Sequence, residues 1–414
     1  MKVIIAGGGI GGLTAALYLQ KAGVPCQIFE KVPEILQLGV GITLLPHAVN
    51  AMDELGLMAR LDALGVRTDR MIFRTRGGQE VWNAPRGLAA GYGVPQITAH
   101  RADIHQVLLN AVAERLPEGS LTLDAAVEAI EDTDTGVRVT LRRSDGSTFT
   151  AEGDVLIGAD GIHSAVRRHL NPGEGAPRWS GLMLWRGSVD WPKVLDGHTI
   201  INSGGMGQKF IFYPIGPGKT PDTQLMNWAC VVRQAEPGAP APGREDWNRE
   251  ARAEVLHPIL EAFTVPETDI HAMVDATPVF WDFPMCDRDP LETWTRGRVT
   301  LLGDAAHPMY PFGANGSAQA ILDARTLGRL CGAGGDPAAI LQAYEAERLG
   351  PVNEIVAGNR SGGPERVIDE VEARIADLPG QKFEDLEDIL PFEARDAIVN
   401  GYSRLAGFST EQVQ

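Results

Sequence analysis

The chain has 414 residues, enough for two or three domains of roughly 150 residues each and for a large core. Hydrophobic residues make up 44% and charged residues 22%, which excludes a disordered chain. The 37 Lys and Arg against 54 Asp and Glu give a formal charge of −17, which argues against a nucleic-acid partner but leaves room for a small anionic ligand.

Residues 2–6 form a short β-branched run, read as a buried strand. Gly7, Gly8, Gly9, Gly11 and Gly12 follow at once. Leu13, Ala16, Leu17 and Gln20 then mark a helix that ends near Gly23. Residues 24–29 read as a second strand closed by Glu30, so the chain opens with a βαβ unit. The uncharged stretch from Val3 to Gln20 holds five glycines and is followed by no clean small-residue cleavage site. It is read as part of the fold and not as a leader. No apolar run suits a membrane helix, and the expected location is the cytoplasm. A second helix is expected over 100–116, where Ile104, Val107, Leu108, Ala111 and Val112 share one face. Val137, Val139 and Leu141 alternate as in a strand, and Asp145-Gly146 marks a hairpin. A short buried strand over 154–158 runs into Ala159-Asp160-Gly161.

From about residue 176 the texture changes. Trp179, Trp185 and Trp191 accompany strand-like runs at 181–189 and 209–215, a Pro/Gly/Ala-rich loop at 236–243 and a helical stretch near 246–262. This reads as a sheet-rich domain inserted into the first. A buried strand returns at 298–302, and helices dominate after Gly316, including 338–349 and 365–377. The four cysteines, Cys26, Cys230, Cys286 and Cys331, lie more than forty positions apart. They are read as buried free thiols, with no metal site.

Three motifs carry chemistry. In Gly7-x-Gly9-x-x-Gly12, the first glycine permits a tight strand-to-helix turn. The second lets backbone approach a pyrophosphate, and the third lets helix and strand pack. Glu30, 18 residues past Gly12, suits the adenosine ribose hydroxyls of a dinucleotide, NAD or FAD. Asp160-Gly161 ends a strand and enters a helix; by itself it is a plain turn. In the third, a buried strand delivers Gly303-Asp304 to a strand C-terminal edge, where ligands of open α/β sheets sit. Pro308 and Pro311 stiffen the following loop, and Gly313 and Gly316 allow close backbone approach.

In this order and over roughly residues 1–360, the three motifs resemble those of the class A, single-component FAD-dependent aromatic hydroxylases. His100-Arg101-Ala102-Asp103, Trp185-Arg186-Gly187, Asp287-Arg288-Asp289-Pro290 and the stretches Gly39–Ile42 and Leu45–Ala48 are also family-like. The loop from His307 to Gly316 is most similar to the phenazine-carboxylate branch, because only Pro311 and Gly316 match the pattern common elsewhere in the family. The resemblance implies an α/β fold: a Rossmann-like FAD-binding domain with an inserted sheet-rich substrate domain and C-terminal helices. The expected boundaries are 1–75, 98–175 and 295–364 for the FAD domain, 76–97 and 176–294 for the substrate domain, and 365–414 for the helical segment.

The resemblance also implies roles. Gly7, Gly9, Gly12, Glu30 and Lys31 would hold the ADP half of FAD, with Arg101 at the pyrophosphate, Val127 by the adenine, and Gly41 a further cofactor contact. Asp160 would support FAD and a transient NADH or NADPH, and Gly303 and Asp304 would hold the ribitol. Pro311, Gly313, Ala314, Asn315 and Gly316 would lie against the isoalloxazine. No second glycine fingerprint opens a later helix, so a separate NADPH domain is not expected. The implied reaction is hydroxylation of an activated, carboxylated aromatic or heteroaromatic ring by NAD(P)H and O₂ through a flavin C4a-hydroperoxide, with or without decarboxylation. Catalytic candidates are Arg186 for a substrate carboxylate, Tyr213 for a ring substituent, and Pro311. Leu45, Trp185, Phe212, Tyr213, Trp228 and Phe283 are candidate walls of a dry aromatic pocket. His47, His100, His163 and His307 are read as structural, His307 as a cap on loop backbone. The alternatives are a flavin dehydrogenase or reductase without oxygen insertion, and a flavin-bound sensor. A monomer or a homodimer fits equally.

Overall fold

A computed structural model of the chain describes residues 1–35, 40–243 and 249–413. Gly39 and the start of the expected 246–262 helix lie outside these residues. The first layer is a five-stranded parallel sheet in the order Val299–Leu301, Val155–Gly158, Val3–Ala6, Cys26–Phe29, Leu121–Thr122. Val3, Ile4, Ile5 and Ala6 are all buried, as a parallel strand covered on both faces requires. The helix Ile10–Lys21 packs against the long helix Gly316–Ala333, with Tyr18 seated on Gly328. A three-stranded antiparallel sheet, 126–132, 137–142 and 148–153, is joined to this layer through Ile4 and Gly153.

A second, seven-stranded sheet runs in the order Phe280–Asp287, Arg178–Pro192, Thr223–Arg233, Gln208–Pro217, Thr199–Ser203, Arg70–Arg74, Glu80–Pro85. Its strand Arg70–Arg74 pairs with Thr199–Ser203, so the large sheet begins within the segment assigned to the FAD domain. Alternate residues face opposite ways. Trp185, Phe210, Phe212 and Trp228 face a core closed by the helices Ala253–Leu260 and Ile270–Asp275. The other face looks toward the parallel sheet.

Two helices differ from expectation. The helix Pro337–Arg360 runs straight through Gly350-Pro351, where a stop was expected. Burial of Val352, Ile355 and Val356 offsets the hydrogen bond that a mid-helix proline removes. The described helix near 246–262 is only Ala253–Leu260. The C-terminal helices Arg366–Ile375 and Phe392–Leu405 pack through Val367, Ile368, Val371 and Val399 onto Phe73, Val81 and Trp82 of the large sheet.

Candidate functional site

A cavity of about 660 Å³ lies between the two sheets, within the size range of cofactor and ligand sites. At one end stands the glycine turn. Gly7 has φ +109°, and a Cβ there would sit 2.3 Å from the Ala159 carbonyl oxygen. A Cβ on Gly12 would come within 2.0 Å of the Gly7 carbonyl oxygen. These two glycines let the chain pack on itself. Gly9 is different: it lines the cavity, and a Cβ there would meet no protein atom within 4 Å. Its open backbone is what a dinucleotide pyrophosphate needs. The Glu30 carboxylate accepts from the Gly8 N–H at 2.7 Å and the Val32 N–H at 3.1 Å, which fixes it at the cavity edge. Lys31, Arg101 and Val127 line the same end. His105, absent from the expected set, meets the Gly8 carbonyl oxygen at 2.6 Å through Nε2, and burial pulls its pKa down.

The second and third motifs meet through a buried arginine. Asp160 accepts from the Ser164 hydroxyl and from the Ala165 and Val166 N–H groups at 2.7 and 3.3 Å. Burial pushes its carboxyl up against those bonds. Arg167, 1% exposed, donates to the Ala305 and Ala306 carbonyls at 3.1 and 2.7 Å and pairs with Glu174. It thereby sets the loop that carries Gly303 and the exposed Asp304, both on the cavity wall. His307 lies away from that wall. Its Nε2 meets Asp323 at 2.6 Å, so its role is a buried hydrogen-bond contact with a carboxylate and not a backbone cap. Burial alone would raise the Asp323 carboxyl, but His307 and Arg348 hold it at about 2.

Pro311, Gly313, Ala314 and Gly316 line the cavity. Gly313 and Ala314 both have positive φ, +70° and +55°. A side chain on Gly313 would strike the Tyr402 ring at 2.4 Å. Asn315 is buried behind the loop and does not line the cavity; its Nδ2 donates to the Tyr402 hydroxyl at 2.9 Å. Tyr402 in turn donates to Asn359. The expectation of a cofactor contact from Asn315 is therefore corrected to support from behind.

The far end of the cavity is the inner face of the large sheet. Leu184, Arg186, Ile211 and Tyr213 line it, with Leu45 and Met71. Trp185, Phe212 and Trp228, expected as walls, are buried on the opposite face, because each strand turns its neighbour outward. Phe283 is screened from the cavity among Leu182, Tyr310 and Phe312. Arg186 donates to the Gly41 carbonyl at 2.7 Å, and the Asn227 Oδ1 accepts the Gly41 N–H at 2.8 Å. Burial lowers the Arg186 pKa to about 10. Burial raises the Tyr213 pKa, and Arg186 partly offsets this. Arg186 Nε and Asn227 Nδ2 are buried without a hydrogen-bond partner, two donors at an otherwise mostly apolar face. Lys209, Glu365, Val399, Ser403 and Phe408 also line the cavity. Sequence spacing carries no signal for these, because they arrive from distant elements. Among the described residues no cluster suits a metal ion, and no helix is long and apolar enough to cross a membrane.

The glycine turn, the open Gly9 backbone and the anchored Glu30 fit the ADP half of FAD, and the two unpartnered donors fit a polar ligand beyond it. Known proteins agree with this fit. A family described as an FAD binding domain matches residues 1–358. Phenazine 1,6-dicarboxylic acid hydroxylase PhzS of Lysobacter antibioticus is 38% identical over 364 residues, covering 86% of this chain and 89% of that protein. The 3-hydroxybenzoate 6-hydroxylase 1 of Aquipseudomonas alcaligenes is 33% identical over 354 residues, 84% and 85% of the two chains. Among solved structures, Klebsiella pneumoniae HpxO with FAD and uric acid superposes with a TM-score of 0.77 at 27% identity, over 98% of this chain and 96% of that one. The chain belongs to the FAD-dependent aromatic hydroxylases, flavoprotein monooxygenases with a Rossmann-type domain.

Proposed function

We propose that the protein uses NAD(P)H and O₂ to hydroxylate a carboxylated aromatic or heteroaromatic ring of the phenazine or salicylate kind. The observation that carries this is one continuous cavity joining the dinucleotide turn to a mostly apolar sheet face that bears Arg186 and Tyr213. The chemistry supplied by bound FAD is O₂ activation after reduction by NAD(P)H, with one oxygen atom entering the ring and the other leaving as water. Gly7, Gly9, Gly12, Glu30, Lys31, Arg101 and Val127 would hold its ADP half, and Asp160, Gly303 and Asp304 its middle. Gly41 and the loop from Pro311 to Gly316 would bound its ring, with the Tyr402 and Asn315 pair holding that loop in place.

Arg186 takes the ring carboxylate on its free Nε, a charge-assisted bond strengthened by partial desolvation. The Tyr213 hydroxyl hydrogen-bonds a ring substituent and, accepting from a phenol O–H, polarises it so that the ring becomes more electron-rich. Leu45, Leu184 and Ile211 keep water from the reacting centre. The test is NADH and NADPH consumption by the flavin-loaded protein against aromatic carboxylates and phenols, with peroxide quantified and products traced from ¹⁸O₂. Ring-stimulated consumption with label in the product and little peroxide is the expected result, and the product mass shows whether the carboxylate leaves. Consumption without label incorporation, or no stimulation by any ring, would overturn it in favour of a dehydrogenase or a sensor.

A further inference from the structure

Arg86, like Arg186, is a cation of the cavity with no counter-ion among the described residues. Arg86 follows the strand Glu80–Pro85, is half-buried and lines the cavity. Its guanidinium donates to the Pro85 carbonyl at 3.3 Å and touches the Met71 sulfur at 3.5 Å. Among the described residues no carboxylate lies within ion-pair distance of it, whereas Lys209 on the same cavity is neutralised by Glu365 at 2.5 Å. Burial pulls the Arg86 pKa down, and its other polar neighbour, Tyr92, is engaged with the Phe408 carbonyl. A cation taken from water without a partner is costly, and a carboxylate is the group a guanidinium fork fits best. Met71 packs on the cluster of Ile200, Tyr213 and Ile215, and Tyr213 neighbours Arg186. The two arginines therefore border one chamber, with apolar side chains between them.

We propose that Arg86 is a receptor for a second carboxylate, so that the chamber prefers a ring carrying two acid groups, one on Arg186 and one on Arg86. This rests on the proposed hydroxylation of a carboxylated ring. The test titrates the flavin absorbance of the holoenzyme and of Arg86→Gln and Arg86→Lys with ring pairs that differ by one carboxylate. The pairs are phenazine-1-carboxylate with phenazine-1,6-dicarboxylate, and 3-hydroxybenzoate with 5-hydroxyisophthalate. The expected result is that Arg86→Gln weakens the better dicarboxylate about 10- to 100-fold and its monocarboxylate partner less than about 3-fold. Arg86→Lys restores part of the loss, and in turnover the change falls on KM. Equal weakening of both members of a pair, or unchanged dicarboxylate affinity, would overturn the assignment while leaving the hydroxylase proposal intact. Failure of the unsubstituted holoenzyme to bind any of the four would sink both.

Discussion

The two ends of the cavity recognise their ligands by different means. At the parallel-sheet end the backbone does much of the work: open glycine, strand-to-helix turn, amides that fix Glu30. At the large-sheet end side chains from strands, a hairpin and the last helix converge, and which of them reach the cavity depends on strand facing. A backbone site is intolerant of any added atom, whereas a side-chain site can change its ligand without changing its fold.

The largest expected effect separates two glycines at the first end. Gly7→Ala forces a Cβ onto the Ala159 carbonyl at a positive φ, and should cost more than about 3 kcal/mol in denaturant unfolding of the apoprotein. Gly9→Ala should leave apoprotein stability within about 0.5 kcal/mol yet release FAD during gel filtration. If Gly9→Ala destabilises the apoprotein as much as Gly7→Ala, the distinction between self-packing and ligand-facing glycines fails. Next comes Tyr402→Phe, which leaves Asn315 and Asn359 without their shared hydroxyl and should cost about 1–3 kcal/mol. A shifted flavin absorbance band and more peroxide per NADH would mark it as a positioning residue for the loop; loss of stability alone would make it a core contact only.

A smaller effect sharpens the contrast within one strand. Phe212→Leu should lower stability by about 1–2 kcal/mol and leave KM unchanged, because its ring lies in the far core. Ile211→Ala, one residue earlier on the cavity side, should change KM and peroxide leakage. Identical behaviour of the two would contradict the facing. The smallest effect is a pH dependence. Burial raises the Asp369 carboxyl to about 6; Glu372 and Glu365 add to the rise, and the Met206 N–H contact and Lys209 oppose it. Its folded-state pKa lies above the unfolded one, so the native state binds the extra proton between pH 4 and 6. Relative to Asp369→Asn, the unsubstituted protein should lose stability as pH rises through that window and change no further above it. A flat difference curve from thermal melts at pH 4, 5, 6 and 7 would remove Asp369 as a buried charge.

The first end was largely legible in the sequence. Glycine spacing is a local signal, and Gly7, Gly9, Gly12 and Glu30 sit in one unbroken βαβ unit. The helix over 101–115 and the Gly303-Asp304 strand end were read from periodicity and buried runs for the same reason. The second end was legible in residue type but not in facing. Trp185, Phe212 and Trp228 lie on the right strands, and a shift of one position gives Leu184, Ile211 and Asn227 on the cavity, beside Tyr213, which is already among the candidates. Arg86, Glu365 and Ser403 carry no local pattern at all; only the tertiary fold brings residues 86, 365 and 403 together around one space.

The strand order of the parallel sheet has a consequence for synthesis. The turn at Gly7 packs on Ala159, and Gly11 packs on Leu302 with Ala320 close behind. The strand Val3–Ala6 thus finds one sheet partner, Val155–Gly158, far down the chain, and that strand is edged by Val299–Leu301 only after the inserted strands have been made. Val3–Ala6 and Cys26–Phe29 can pair at once, but the flavin cradle is complete only once the segment carrying Leu302 and Ala320 has been made. Cofactor uptake in this chain is accordingly expected to follow the pairing of these distant strands and to report on its completion.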